Sequence, residues 1–122
     1  MKRILVVDDD AAICEMFSKF LDRDGYEVLV AYDGRSALEQ LRSHEEVDLL
    51  VLDINMPELG GASLVQLLRC DPEWARFATL PIIVVSALWD VVTFDLDVQG
   101  GFGKPVKQEE LRDKVRQLIG PP

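Results

Sequence analysis

Val47-Asp48-Leu49-Leu50-Val51-Leu52-Asp53-Ile54-Asn55-Met56-Pro57 is an almost unbroken apolar run that ends in one carboxylate and a proline-bounded loop. Leucine and valine at that density, with turn signals on either side, belong in a strand buried on both faces, the central position of a parallel sheet. Ligands of such sheets bind outside the carboxyl ends of the strands, which sends Asp53 into the crevice where chemistry is expected. A lone acid at a strand end is as readily a helix cap or a loop residue, so Asp53 has to be judged by its company. Ile4-Leu5-Val6-Val7 runs into Asp8-Asp9-Asp10, Ile82-Ile83-Val84-Val85 into Ser86-Ala87, and a weaker strand candidate into Lys104-Pro105. Acids, a hydroxyl and a lysine thus gather at one end of neighbouring strands.

Taken in chain order, Val7-Asp8-Asp9, Leu52-Asp53-Ile54-Asn55-Met56-Pro57, Ser86-Ala87 and Lys104-Pro105 resemble the receiver domain of two-component response regulators, over essentially all 122 residues. Each short motif is weak alone. Together, with 44 positions from Asp9 to Asp53, they are specific.

At 122 residues and 48% hydrophobic, the chain reads as one domain, residues 1–122, able to bury a core and fold alone. A net charge of −9 argues against direct nucleic-acid binding, for which a basic face would be the footprint. An acidic surface suits a basic protein partner or a divalent cation. Cys14 and Cys70 lack the spacing of a zinc or redox motif and read as free thiols in a reducing cytoplasm. Met1-Lys2-Arg3 begins like a signal peptide, but the apolar run after it stops at Asp8, and no stretch approaches the roughly 20 apolar residues of a membrane span. A cytoplasmic protein is expected.

Asp10 is placed to cap a helix from Ala11, in which Ile13, Phe17, Phe20 and Leu21 recur at helical spacing until Gly25 ends it. Glu27 to Ala31 reads as a strand; after the turn signal Asp33-Gly34, Ala37, Leu38 and Leu41 form a short apolar stripe. His44, the sole histidine, reads as a solvated residue with no role. Ala62 to Cys70 is a helix stopped by Asp71-Pro72; beyond it Trp74 and Phe77 fit a short amphipathic turn packed on the core edge. Pro81 to Val85 is the next strand, and Leu111, Val115, Leu118 and Ile119 mark a last amphipathic helix opened by Glu109 and Glu110. Gly120-Pro121-Pro122 reads as the frayed start of a linker or as a cut end.

Five alternations of strand and helix with short connections predict an α/β fold, a (βα)5 doubly wound sandwich on a parallel sheet. The resemblance implies strand order 2-1-3-4-5, which sets the first and third strands side by side and brings Asp8, Asp9 and Asp53 together. Clustered carboxylates repel unless a cation sits among them, and Mg²⁺, with its oxygen ligands and retained waters, suits such a cluster. By resemblance Asp9 and Asp53 ligate Mg²⁺ through side chains, Asn55 through its backbone carbonyl and Asp8 through a water. Asp53 would be the phosphoacceptor, served by the Lys104 ammonium and the Ser86 hydroxyl, and the donor a sensor histidine kinase or histidine phosphotransfer protein. The family often has a cis bond before the proline here, Pro105. Gly60-Gly61, where the family often has an acid or asparagine before a single glycine, is expected to loosen the loop without touching the site.

Two other functions compete. A haloacid-dehalogenase-type phosphatase also uses a strand-end Asp with Mg²⁺, but needs a second Asp two positions on, where this chain has Asn55. A receiver-like binding module without phosphorylation would not need the full acid set. The 18 positions from Ser86 to Lys104 are short for the family by about one helical turn, roughly 3.6 residues, so a shortened or irregular fourth helix is expected. Gly101 stands where relatives carry an aromatic, and Phe102, one position on, would face the other side of its strand. Signalling is therefore expected to run through ordering of residues 88–99, with Trp89 or Phe94 moving.

Overall fold

The computed structural model describes residues 1–44, 46–54, 56, 59–87 and 97–122. Its elements are β1 (Arg3–Val7), α1 (Ala11–Arg23), β2 (Glu27–Ala31), α2 (Gly34–Ser43), β3 (Leu49–Leu52), α3 (Gly61–Cys70), a 3-10 helix (Pro72–Phe77), β4 (Ile82–Ser86), β5 (Gly100–Gly103) and α4 (Gln108–Ile119). Of residues 88–99, where a fourth helix is expected, 88–96, with Trp89 and Phe94, lie outside the described residues, as do Asn55 and Pro57, and 97–99 are not helical.

The five strands form one sheet in order β2-β1-β3-β4-β5, every pair parallel. All four residues of β3 are buried, as its unbroken apolar run requires of a strand with a neighbour on each side. Alternation along the strands splits the core in two. Leu5, Val7, Leu50, Leu52, Ile82 and Val84 face α2 and α3 on one side. Ile4, Val6, Leu49, Val51, Ile83 and Val85 face α1 and α4 on the other, where Phe102 also packs, as its one-residue offset implied.

Asp10 caps α1, accepting from the backbone N–H of Ala12 at 2.9 Å and Ile13 at 3.4 Å. Gly25 turns the chain out of that helix with φ 102°, a conformation that favours glycine. Trp74 and Phe77 are buried as expected, and the guanidinium groups of Arg42 and Arg76 lie over their rings at 5.2 and 4.8 Å.

Two expectations need correction. His44 is half-buried and ends α2, its Nδ1 3.0 Å from the Gln40 carbonyl, because the last carbonyls of a helix need partners. The fraying expected from Gly120 on does not begin there: the Tyr26 hydroxyl donates to Gly120 O at 2.7 Å and Lys2 Nζ donates to Ile119 O, while Pro121 and Pro122 are exposed. Among the described residues no helix is long and apolar enough to cross a membrane.

The two thiols differ sharply. Cys14 is 1% exposed and donates to the Asp8 carbonyl at 3.2 Å, whereas Cys70 is exposed. Burial, with the Asp8 charge adding to it, pushes the Cys14 thiol up to about 11, so at pH 8 on the order of one molecule in a thousand carries the thiolate there. A thiol-reactive dye at pH 8 is expected to label one cysteine in the native protein and both in urea. Rapid labelling of two in the native state would contradict the buried position.

Candidate functional site

Asp8 follows the last residue of β1, Asp53 follows β3, Ser86 closes β4, and Lys104 follows β5. The parallel sheet therefore brings all four to one end, and the β1–β3 pairing, with Val7 opposite Leu52, sets Asp8 and Asp53 on adjacent strands. Asp8, Asp9 and Asp53 each place a carboxylate oxygen within 4.8 Å of the others. Asp8 and Asp53 are 2% and 6% exposed, while Asp9 is open to solvent. Lys104 reaches both buried acids, Nζ donating to Asp8 Oδ2 at 2.8 Å and to Asp53 Oδ2 at 3.1 Å. Its backbone N–H donates to Ser86 O at 3.2 Å, tying the ends of β4 and β5, and the Lys104–Pro105 bond is cis. Asp9, Asp10, Asp53, Ala87 and Lys104 line an open cavity of about 330 Å³.

The electrostatics follow from burial and pairing. Burial raises the pKa of the Asp8 carboxyl, outweighing the Lys104 ammonium and the Asp10 N–H, which donates to Asp8 Oδ1 at 2.9 Å. For Lys104, burial disfavours the charge, but the hydrogen bonds to Asp8 and Asp53 prevail and raise its pKa. The ammonium is therefore charged at any physiological pH. Three carboxylates against one ammonium leave an excess of negative charge on hard oxygen donors facing an open cavity. That donor set fits Mg²⁺, which accepts a few carboxylates and completes its shell with water.

The structure brings together Asp8, Asp9, Asp53 and Lys104, and places Ser86, fully buried, at the same sheet end. Asn55 lies outside the described residues. Gly61 is a residue whose part in the site sequence reasoning passes over. A Cβ built on it would stand 2.5 Å from the Asp53 carbonyl oxygen and 2.6 Å from Ile54 Cα, so this glycine abuts the end of the strand that carries Asp53. Its N–H also donates to Ile54 O at 3.0 Å. Gly61 therefore shapes the site, and nothing in a Gly-Gly pair says which of the two is pressed against backbone.

Residues 4–116 match the model of the response regulator receiver domain. The chain is 35% identical over 122 residues to the DNA-binding response regulator MtrA of Mycobacterium tuberculosis, covering 97% of this chain and 50% of that protein. It is 33% identical over 123 residues to the transcriptional regulatory protein CpxR of Klebsiella pneumoniae, covering 98% and 50%. The chain thus spans about half the length of these curated relatives. Among solved structures it resembles the response regulator TrrA of Thermotoga maritima in complex with Mg²⁺ and BeF, with TM-score 0.83, 31% identity, and 98% of this chain and 100% of that one covered. It also resembles a sensor protein from Polaromonas sp. JS666, with TM-score 0.88, 27% identity, and coverage of 97% and 95%.

Proposed function

Because the chain belongs to the response regulator receiver domain family, we propose that it is one receiver domain, residues 1–122, whose Asp53 accepts a phosphoryl group from a sensor histidine kinase or a histidine phosphotransfer protein. The observation that carries this reading is the Lys104 ammonium shared between Asp8 and Asp53 beside Asp9, at the mouth of an open cavity. Phosphoryl transfer asks the protein mainly for position and for charge to meet the phosphoryl oxygens. Asp53 stands as nucleophile at the end of the central strand, and Lys104 is ready to neutralise one oxygen. The Ser86 hydroxyl, at the end of β4, is the candidate donor to another.

Asp8, Asp9, Asp53 and the Asn55 carbonyl are the residues that would hold Mg²⁺. When bound, the ion supplies charge for the acid cluster and the incoming phosphoryl group. Asp8 has its oxygens engaged by Asp10 N–H and Lys104, which fits a part played through water rather than direct ligation. The chain on this reading catalyses only its own phosphorylation and dephosphorylation, and changes its contacts with a downstream protein as a result. Its place of action would be the cytoplasm, where kinase and regulator meet. Asn55, in place of the acid a phosphatase of the dehalogenase type needs, speaks against turnover of phosphoesters.

Intact-mass measurement after incubation with acetyl phosphate and MgCl₂ tests the proposal. One phosphoryl group should be gained, and EDTA should suppress the gain to a few per cent, since uncompensated carboxylates repel the incoming anion. No gain with Mg²⁺ present, or an equal gain in EDTA, would overturn it.

A further inference from the structure

β5 reads Gly100-Gly101-Phe102-Gly103, a strand with a single side chain. Strand register is ordinarily specified by which side chains must be buried on which face, and glycine-rich strands carry little of that information. Yet the residue after this strand is Lys104, which must meet two carboxylates at 2.8 and 3.1 Å. A one-residue slip displaces a strand by about 3.3 Å and turns each side chain to the opposite face. Phe102, packed against the core, is the one side chain of β5 that bears on its face, which leaves room for a second determinant of where the strand begins.

The structure places such a device at the start of the strand. Gln99 N–H donates to Ile82 O at 2.9 Å, and the Gln99 side-chain Oε1 accepts from Ile82 N–H at 2.8 Å, so one residue grips both backbone groups of the residue that opens β4. The same Oε1 accepts from Arg69 Nη2 at 3.2 Å. Arg69, its side chain only 7% exposed, is itself fixed at the end of α3: Nε donates to Asp97 O at 3.1 Å, and Nη1 to Phe77 O and Ala78 O, both at 3.2 Å. From that anchor the pairs run Ile83 with Gly100, Val84 with Gly101, Val85 with Phe102 and Ser86 with Gly103. The next residue is Lys104.

We propose that Gln99, held by Arg69, is a positioning residue that sets the register of β5 and thereby delivers Lys104 to Asp8 and Asp53. Its importance for phosphoryl uptake rests on the function proposed above; its effect on register does not. A rung made by a side chain substitutes for the pattern the glycines lack, and Arg69 keeps the amide from turning away.

Gln99→Leu removes the acceptor, while Gln99→Glu keeps an oxygen for both Ile82 N–H and Arg69. Misplacing a catalytic group by an ångström can cost on the order of a hundredfold, so Gln99→Leu is expected to slow uptake from acetyl phosphate at least about tenfold and Gln99→Glu by less than about threefold. Amides of β5 should exchange with deuterium at least about tenfold faster in Gln99→Leu and close to the native rate in Gln99→Glu. In a Lys104→Met background, adding Gln99→Leu should slow uptake no further, because the two act through one ammonium. Arg69→Met should reproduce the Gln99→Leu pattern, and serves in its place if Gln99→Leu does not fold. Native exchange in β5 of the leucine variant, equal defects in the leucine and glutamate variants, or a further loss on top of Lys104→Met would each overturn the proposal. If the native chain takes up no phosphoryl group, the function proposed above fails, and exchange in β5 alone decides the register.

Discussion

Asp53→Ala is expected to lower phosphoryl uptake from acetyl phosphate to the background of the mass measurement, with the fold intact. The neighbouring acids are poor substitutes. Asp8 is buried with one oxygen taken by Asp10 N–H and the other by Lys104, so neither can approach phosphorus without breaking a hydrogen bond to a charged or backbone donor. Asp9 is open to solvent and lies one residue beyond the strand-end acid, and among the described residues no hydrogen bond orients its carboxylate. Removing the Asp53 carboxylate takes one hydrogen bond from Lys104 but also relieves repulsion within the cluster. The net change in stability should then stay within about 1 kcal/mol, which a urea melt can check. Uptake by Asp53→Ala equal to the native chain would place the acceptor elsewhere.

What could be read from the residues, and what could not, follows from where the physical signal sits. β1, β3 and β4 are legible because strands buried on both faces need continuous branched aliphatics, and Ile4–Val7, Leu49–Leu52 and Ile82–Val85 supply them. The acids were legible only in company: a lone strand-end acid reads as well as a helix cap, but here Ile4–Val7 and Leu49–Leu52 both end in acids and other strand candidates end in Ser86 and Lys104. Their convergence was not, since strand order is set by packing across the sheet, and only the resemblance supplied it. β5 is the opposite case, for Gly-Gly-Phe-Gly has no strand pattern and was placed solely by the Lys104-Pro105 motif that follows. The burial of Arg69 was equally hidden, because a lone arginine near a helix end reads as solvated and its acceptors come from distant segments. His44 was misjudged for a related reason: its partner is a backbone carbonyl, to which sequence pattern is blind.

Gly61→Ala should destabilise the protein, against what local propensity alone says. Alanine is favoured over glycine in a helix by about 1 kcal/mol, and it also restricts the unfolded chain, so an open position on α3 would gain from the change. Gly61 is not open. The added methyl would stand 2.5 Å from Asp53 O, 2.6 Å from Ile54 Cα and 3.1 Å from Asp53 C, all backbone atoms that cannot rotate aside. Either α3 or the end of β3 must shift, and overpacking of this kind typically costs about 1 to 3 kcal/mol, enough to reverse the propensity gain. The shift presses on the residue that carries the proposed nucleophile, so uptake at Asp53 should fall along with stability. Gly60 is the internal control, because among the described residues a Cβ there would meet only Ile54 O at 3.6 Å and Met56 O at 3.7 Å, ordinary contact distances. Gly60 also caps α3 with no side-chain hydrogen bond, so Gly60→Ser can supply the missing acceptor and should leave stability unchanged or raise it by a few tenths of a kcal/mol. Urea denaturation of the two variants separates these outcomes. A Gly61→Ala chain as stable as the native one would mean that α3 does not press against the Asp53 backbone as closely as 2.5 Å implies.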